Sequence, residues 1–294
     1  MNIAVLSDIH GNHIALERCM DYLEGQKVDA YCFLGDYAGE FPGIEAVLRT
    51  LRRVRESAPC YIIRGNKEEY QMSGLGDGHP EWDAYPSTMG MIRYAGRHLT
   101  PEDLVFFAAL PVTDCIRTDG MPDIRICHGS PRKVNEKIYA GKDVNKEIFS
   151  EVKERYILCG HTHEVMDARE HGKVVWNPGS VGVPLDGSGK TQCMILHGNS
   201  ETACWSAEFI ALEYDVERVV NEMKENGLYQ IAPYWALISE SLLRGGIVSH
   251  GDVLSRAMAL CEQENGECIW PAVPESCWEK AYRELIGDGR TSRL

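Results

Sequence analysis

What most constrains this chain is a pattern that recurs along it: a short apolar run, then a glycine or polar pair, then a stretch with helical spacing. The first instance, Ile3 to Leu6, reads as a buried strand starting almost at the N-terminus. It delivers Ser7-Asp8-Ile9-His10-Gly11-Asn12, after which Ile14 to Met20 takes up helical spacing. Residues two apart on an extended chain share a face, so Asp8 and His10 are expected to aim a carboxylate and an imidazole in one direction. The carboxyl end of a strand is where open α/β sheets keep their chemistry. Taken alone, the pair reads as a hydrogen-bonded loop.

The pattern then repeats. Val28 to Leu34 ends at Gly35-Asp36, and Pro42-Gly43 open a helix with Ile44, Val47, Leu48 and Leu51 on one stripe. Cys60 to Ile63 runs into Arg64-Gly65-Asn66-Lys67-Glu68. Such successive βα steps predict a largely parallel sheet with helices on both sides. From Gln71 to about Leu110 the pattern changes to a loop over 73–80, a helix near Met89 to Arg97, and a capped helix start at Thr100-Pro101-Glu102-Asp103. The aromatics of this insertion, Trp82, Tyr85 and Tyr94, are expected either to wall a substrate pocket or to pack on the sheet edge. Ile124 to Cys127 leads to His128-Gly129-Ser130-Pro131-Arg132, and Tyr156 to Cys159 leads to Gly160-His161-Thr162-His163. Lys173 to Trp176 ends in Asn177-Pro178-Gly179-Ser180, a turn whose backbone N–H groups suit an anion. Two more strands, a helix capped by Asp215 and a helical tail follow. The break at Gly245-Gly246 divides a domain over 1–244 from a C-terminal helical extension over 245–294.

Composition narrows the function. A formal charge of −14, from 30 basic and 44 acidic residues, argues against a broad nucleic-acid surface but not against a small substrate neutralised locally by metal. The 11 cysteines are scattered without a Cys-x-x-Cys pair. With no leader segment recognised, they point to a reducing cytoplasm. No apolar run approaches the ~18 residues of a bilayer span, so a soluble protein is expected.

Strand after strand therefore ends in metal-type ligands: Asp8 and His10, Asp36, Asn66, His128, then His161 and His163. Singly, His128 reads as a core histidine, Asp36 as a helix cap and Asn66 as a turn residue. Together, at the ends of parallel strands, they can converge on one edge. A donor set of nitrogen and oxygen without thiolate exceeds a tetrahedral zinc site and suggests two ions, with Asp36 as the natural bridge. Such a pair brings the pKa of a water between them near neutrality and neutralises phosphate oxygens.

Asp8-x-His10, Gly35-Asp36, Gly65-Asn66, His128 and Gly160-His161-x-His163 resemble the five ordered motifs of the calcineurin-like metallophosphoesterase superfamily, over about the first 230 residues. The segments around Asp8, His128 and Asn177 resemble, more narrowly, its prokaryotic single-domain phosphodiesterases. The resemblance implies a four-layer α/β/β/α sandwich. It also implies one metal held by Asp8, His10, Asp36 and His163, and another by Asp36, Asn66, His128 and His161. Manganese is the first expectation, with iron, zinc, cobalt or nickel as alternatives.

One departure stands out. The third motif of that superfamily usually carries His after Gly-Asn, where Lys67 stands here. Lysine, with an ordinary pKa near ~10.4, is a poor proton donor at neutral pH. The expected role is an electrostatic clamp on the reacting phosphate, favouring aryl esters or anhydrides; the alternative is a solvated lysine paired with Glu68. Asn12, Arg64 and Arg132 are the other candidates for phosphate contact, in that order. The expected function is metal-dependent hydrolysis of a small soluble phosphate mono- or diester, away from membranes and nucleic acid. The alternative from another class is a binding scaffold that keeps the fold without catalysis. The C-terminal helices are expected to cover the sandwich edge or to form a homodimer contact.

Overall fold

The structure is a computed structural model and describes residues 1–75 and 79–287. The middle of the loop expected over 73–80, residues 76–78, lies outside them, as does the end of the extension from 288 on. Strands are β1 (Asn2–Leu6), β2 (Ala30–Phe33), β3 (Cys60–Ile62), β4 (Thr113–Ile116), β5 (Ile124–Cys127), β6 (Tyr156–Leu158), β7 (Val165–Glu170), β8 (Lys173–Pro178), β9 (Thr191–Asn199) and β10 (Cys204–Leu212). Helices are α1 (His13–Glu24), α2 (Ile44–Ser57), α3 (Asn66–Met72), α4 (Pro86–Arg97), α5 (Pro101–Ala109), α6 (Val144–Ser150), α7 (Val216–Glu225), α8 (Leu228–Ile231), α9 (Pro233–Leu243), α10 (His250–Asn265) and α11 (Glu275–Leu285).

The strands form two five-stranded sheets, ordered β10-β9-β1-β2-β3 and β4-β5-β6-β8-β7. In the first, β1, β2 and β3 run parallel and β9 pairs antiparallel with β1. In the second, β5, β6 and β8 run parallel between antiparallel edges.

Side-chain alternation explains the layering. Ile3 and Val5 of β1 meet Ile126, Leu158 and Trp176 of the second sheet in a core between the sheets. Ala4 and Leu6 point the other way and pack with Leu16 of α1 and Leu48 of α2. Across the molecule, Cys127, Ile157 and Val175 pack with Ile148 and Phe149 of α6. The result is the α/β/β/α sandwich. The expectation of one sheet with helices on both faces is corrected: each sheet has helices on one face and its partner sheet on the other. A continuous apolar run demands that both faces be covered but does not say what covers them.

The capping signals at Thr100 and Asp215 act as read: Thr100 and Asp103 close a reciprocal box, and Asp215 accepts from the Arg218 N–H at 3.0 Å. The two short edge strands β4 and β7 escaped the sequence reading, because β7 alternates weakly and is largely exposed. After Gly245 the chain turns back over the sandwich. Val253 and Ala257 of α10 and Trp278 of α11 enter the same apolar core as α1 and α2, and the Trp278 indole donates to Thr88 Oγ1 of α4 at 3.0 Å. Among the described residues no helix is long and apolar enough to cross a membrane.

Candidate metal centre

The loops that leave β1 and β2 are tied to each other. The N–H groups of Ile9 and His10 both donate to Asp36 O at 2.9 Å, and that of Gly11 donates to Tyr37 O at 2.8 Å. Asp8 and His10 do not lie on an extended chain, as their spacing suggested. β1 stops at Leu6, and both residues adopt left-handed backbone, with φ of 56° and 54°. Asp36, His161 and His163 do the same at 56°, 66° and 59°. A non-glycine residue held there costs on the order of 1–3 kcal/mol, and such strain collects at functional sites. The convergence comes from these turned loops, not from strand alternation.

Two groups of side chains result, Asp8 with His10 and His163, and Asp36 with His128 and His161, each with candidate ligand atoms within 4.8 Å of one another. Asp36 reaches toward both: Oδ2 lies 3.7 Å from His10 Nε2 and Oδ1 3.4 Å from His128 Nε2. Asn66, the first residue of α3, sets Oδ1 3.1 Å from His128 Nε2.

The ring nitrogens are sorted by their outward partners. His128 Nδ1 donates to Leu34 O at 2.8 Å, His163 Nδ1 donates to Val183 O at 2.9 Å, and His10 Nδ1 meets the Glu40 carboxylate. Each ring then turns Nε2 inward, the orientation that metal-ligating histidines owe to their outer partners, and offers a lone pair there once that nitrogen gives up its proton. His10 and His163 bring those atoms within 3.1 Å of each other. Asp8 Oδ2 is held by Ser7 Oγ at 2.6 Å and by the His161 N–H at 3.0 Å. Its buried Oδ1 has no hydrogen-bond donor, and His163 Nε2 stands 3.2 Å away. An orphaned carboxylate oxygen among inward imidazole nitrogens fits a divalent cation, and the nitrogen–oxygen donor set suits manganese, iron or zinc chemistry.

The glycines of these motifs are needed for close approach. A Cβ at Gly65 would overlap Asp36 Oδ1, and one at Gly160 would overlap Ser7 Oγ. Glu68, fully buried, accepts from the N–H groups of Gly65 at 2.8 Å, Asp36 at 2.9 Å and Tyr37 at 2.8 Å. It fixes the Asp36 loop and does not pair with Lys67, so that alternative is corrected. Lys67 Nζ instead meets Glu40 Oε1 at 2.6 Å and lies 5.6 Å from the centre of the Trp235 ring. Glu40 thus links His10 to Lys67, a connection that no periodicity in the sequence announced.

The other candidates for phosphate contact already hold partners within the fold. Asn12 caps α1 by accepting from the Ala15 N–H and donates to Gly182 O at 3.2 Å. Arg64 turns to Leu110 O at 2.9 Å and to Glu69, and Arg132 pairs with Glu136 and Glu147. The N–H groups of Gly179 and Ser180 bond Asn177 Oδ1 and Gln192 Oε1 and hold no anion. Asn177 is instead a brace, donating to Gly160 O at 2.8 Å.

Fold and site together define a class: an α/β/β/α sandwich with clustered Asp, Asn and His at strand ends. Residues 1–201 match the model of the calcineurin-like phosphoesterase superfamily domain, and the chain belongs to that superfamily. It is 25% identical to an uncharacterized protein of Methanocaldococcus jannaschii, covering 83% of this chain and 98% of that one. Among solved structures it is similar to a hypothetical protein from Pyrococcus horikoshii, with a TM-score of 0.69, 21% identity, and coverage of 81% of this chain and 97% of the other. A metallophosphoesterase from Sphaerobacter thermophilus is similar with a TM-score of 0.62, 23% identity, and coverage of 79% and 98%. These two likenesses bear on the fold.

Charge in the cluster sets a pH dependence. Burial works against a charged ring at His10, yet Glu40, Asp8 and Asp36 raise its pKa to about 10. At His128 burial is likewise outweighed, by Asp36 and Asp8, and the pKa rises to about 9. Burial and the neighbouring His128 push His161 down to about 4. The raised rings stabilise the cation-free fold fully below their unfolded pKa of ~6.5, and that contribution is lost as pH rises through 9 to 10. A cation competes for the same nitrogens, so manganese affinity is expected to rise from pH 6.5 to 8.5 with protons released. Calorimetry in buffers of different ionisation heat measures this, and a pH-independent affinity would contradict it. Glu40→Gln is expected to weaken binding of one manganese equivalent by about 10–100-fold and to lower the melting temperature, since it leaves His10 and Lys67 without their buried carboxylate; an unaltered binding isotherm would remove Glu40 from the site.

Proposed function

We propose that the protein is a phosphoesterase that uses two divalent cations, manganese foremost, to hydrolyse a small phosphate ester. One observation carries the reading: Asp36 extends one oxygen toward each of the two ligand groups, 3.7 Å from His10 Nε2 and 3.4 Å from His128 Nε2. In this reading Asp8, His10, Asp36 and His163 hold one cation, and Asp36, Asn66, His128 and His161 hold the other. Two cations held by these residues would acidify water and would offset the charge that moves between attacking and leaving oxygens. The chain's own part is to keep the lone pairs aimed inward through Glu40, Leu34 O and Val183 O.

Lys67 supplies charge and not a proton. Burial works against its ammonium, but Glu40 and Asp36 more than compensate and raise its pKa above the usual lysine value. A leaving oxygen that needs protonation is therefore poorly served, and esters of acidic alcohols are preferred. The eleven free thiols, most of them buried, support a reducing, cytoplasmic setting.

Chelated protein is expected to lose hydrolysis of bis(4-nitrophenyl) phosphate and to regain it with manganese. Asp36→Asn should lower the rate on the order of a hundredfold or more and reduce bound manganese. Full activity in Asp36→Asn would refute the reading. For Lys67, the rate is expected to fall steeply as leaving-group pKa rises, and Lys67→His should flatten that slope while Lys67→Met lowers every rate. Identical slopes and rates in both variants would exclude Lys67 from the reaction.

A further inference from the structure

The cavity over the metal centre is larger than a phosphate needs. It encloses about 610 Å³, within the ~300–1,000 Å³ usual for sites that hold a whole small molecule. His10, Asp36 and His163 lie at one end. The far wall comes from outside the sandwich: Met91 and Ile92 of α4, Trp235 of α9, His250 and Leu254 of α10, and Trp270 beyond α10. Of the two alternatives for the insertion, α4 takes the first and walls the cavity, through these side chains and not through Trp82, Tyr85 or Tyr94. Trp270 is 39% exposed, with its ring 6.2 Å from that of Trp82.

His250 is the polar feature of this wall. Ser239 Oγ donates to Trp235 O at 3.0 Å, so its lone pair is what faces His250 Nε2 at 2.9 Å. Nε2 also lies 3.3 Å from Trp235 O, which only accepts. Nε2 therefore carries the proton, and Nδ1 is an acceptor without a partner among the described residues. The ring stacks on Trp235 at 4.5 Å and is 9% exposed. Burial, outweighing the pull of Glu40, keeps it neutral with a pKa of about 3. A neutral ring does not attract a second phosphate, and Glu164 and Asp252 on the same lining repel one, against Lys137, the one lining ammonium without an acidic partner among the described residues.

Building on the phosphoesterase reading, we propose that this wall is a subsite for an uncharged planar ring on the substrate, one that donates a hydrogen bond to His250 Nδ1. The substrate class is then a phosphate ester with one phosphorus and a donor-bearing aromatic or heteroaromatic group. Trp270 and Leu254 bound the ring, and His250 reads its donor.

The test uses three diesters with the same 4-nitrophenolate leaving group and a methyl, phenyl or 3-hydroxyphenyl second ester. With the manganese-loaded full chain, kcat/KM is expected to rise about tenfold from methyl to phenyl and to rise again for 3-hydroxyphenyl. Trp270→Ala, at a partly exposed position, should shrink the phenyl advantage, and His250→Phe should erase only the hydroxyl advantage. Equal kcat/KM for the three esters, or ratios unchanged in both variants, would overturn the subsite. If neither these diesters nor 4-nitrophenyl phosphate is hydrolysed, the phosphoesterase reading fails, and calorimetry with methyl-, phenyl- and 3-hydroxyphenylphosphonate decides the subsite separately. The same affinity order supports it, and equal affinities overturn it.

Discussion

Asp8 and Asp36, 0% and 1% exposed, lie where two sheets end, and keeping their charge out of water is the constraint on which the rest of the site depends. A buried carboxylate without partners is strongly unfavourable. The chain meets this by encircling them. Ser7 Oγ and the His161 N–H take one oxygen of Asp8, and the Lys67 N–H takes one of Asp36 at 2.8 Å. The remaining oxygens face imidazole nitrogens. Asp36 falls to a pKa of about 2 because, against burial, the charges of His128 and His10 hold it ionised. Five left-handed residues, none of them glycine, are the conformational cost of this convergence, and they persist because packed sheets fix both ends of each loop.

The first turn of α3 shows how compactly that enclosure is built. Successive helical residues diverge by about 100°, so three neighbours can serve three different groups. Asn66 points at His128, Lys67 reaches Glu40, and Glu68 gathers the N–H groups of Gly65, Asp36 and Tyr37. Glu40 then passes the effect to His10, which lies on the other side of Asp36. Removing one carboxylate of this network leaves its partners buried and unmatched, so its members act together and not as independent pairs.

The strands that carry the cluster, and the convergence of Asp8, His10, Asp36, Asn66, His128, His161 and His163, were legible because each sits where an apolar run stops. The two-sheet architecture was not legible from alternation alone, since Ile3 and Ala4 are both apolar and only the fold says which faces a helix. Asn12 and Arg64 misled for a different reason. Their side chains are of the right chemical type, but nearby backbone groups claimed them first: the first turn of α1 for Asn12, the carbonyls that end α5 for Arg64. Glu40 and His250 were missed because what they touch is distant in sequence or set by a turn.

The Asp and His cluster and the far wall of the cavity come from separate parts of the chain. The groups that converge on the carboxylates all lie before β8, whereas much of the far wall of the cavity comes from 235 to 270. The outer helices are fixed to α4 by apolar packing and by hydrogen bonds that Ser87 and Thr88 make with Glu275 and Trp278, none of which involves the clustered Asp and His side chains. Contact between the two regions runs through Lys67, whose ammonium lies over Trp235 and on Glu40 at once. An ammonium shared between a ring face and a carboxylate is sensitive to both, since losing the ring leaves it more fully committed to the carboxylate. Trp235, Lys67, Glu40 and His10 thereby form one continuous chain of contacts from the far wall of the cavity to the clustered carboxylates.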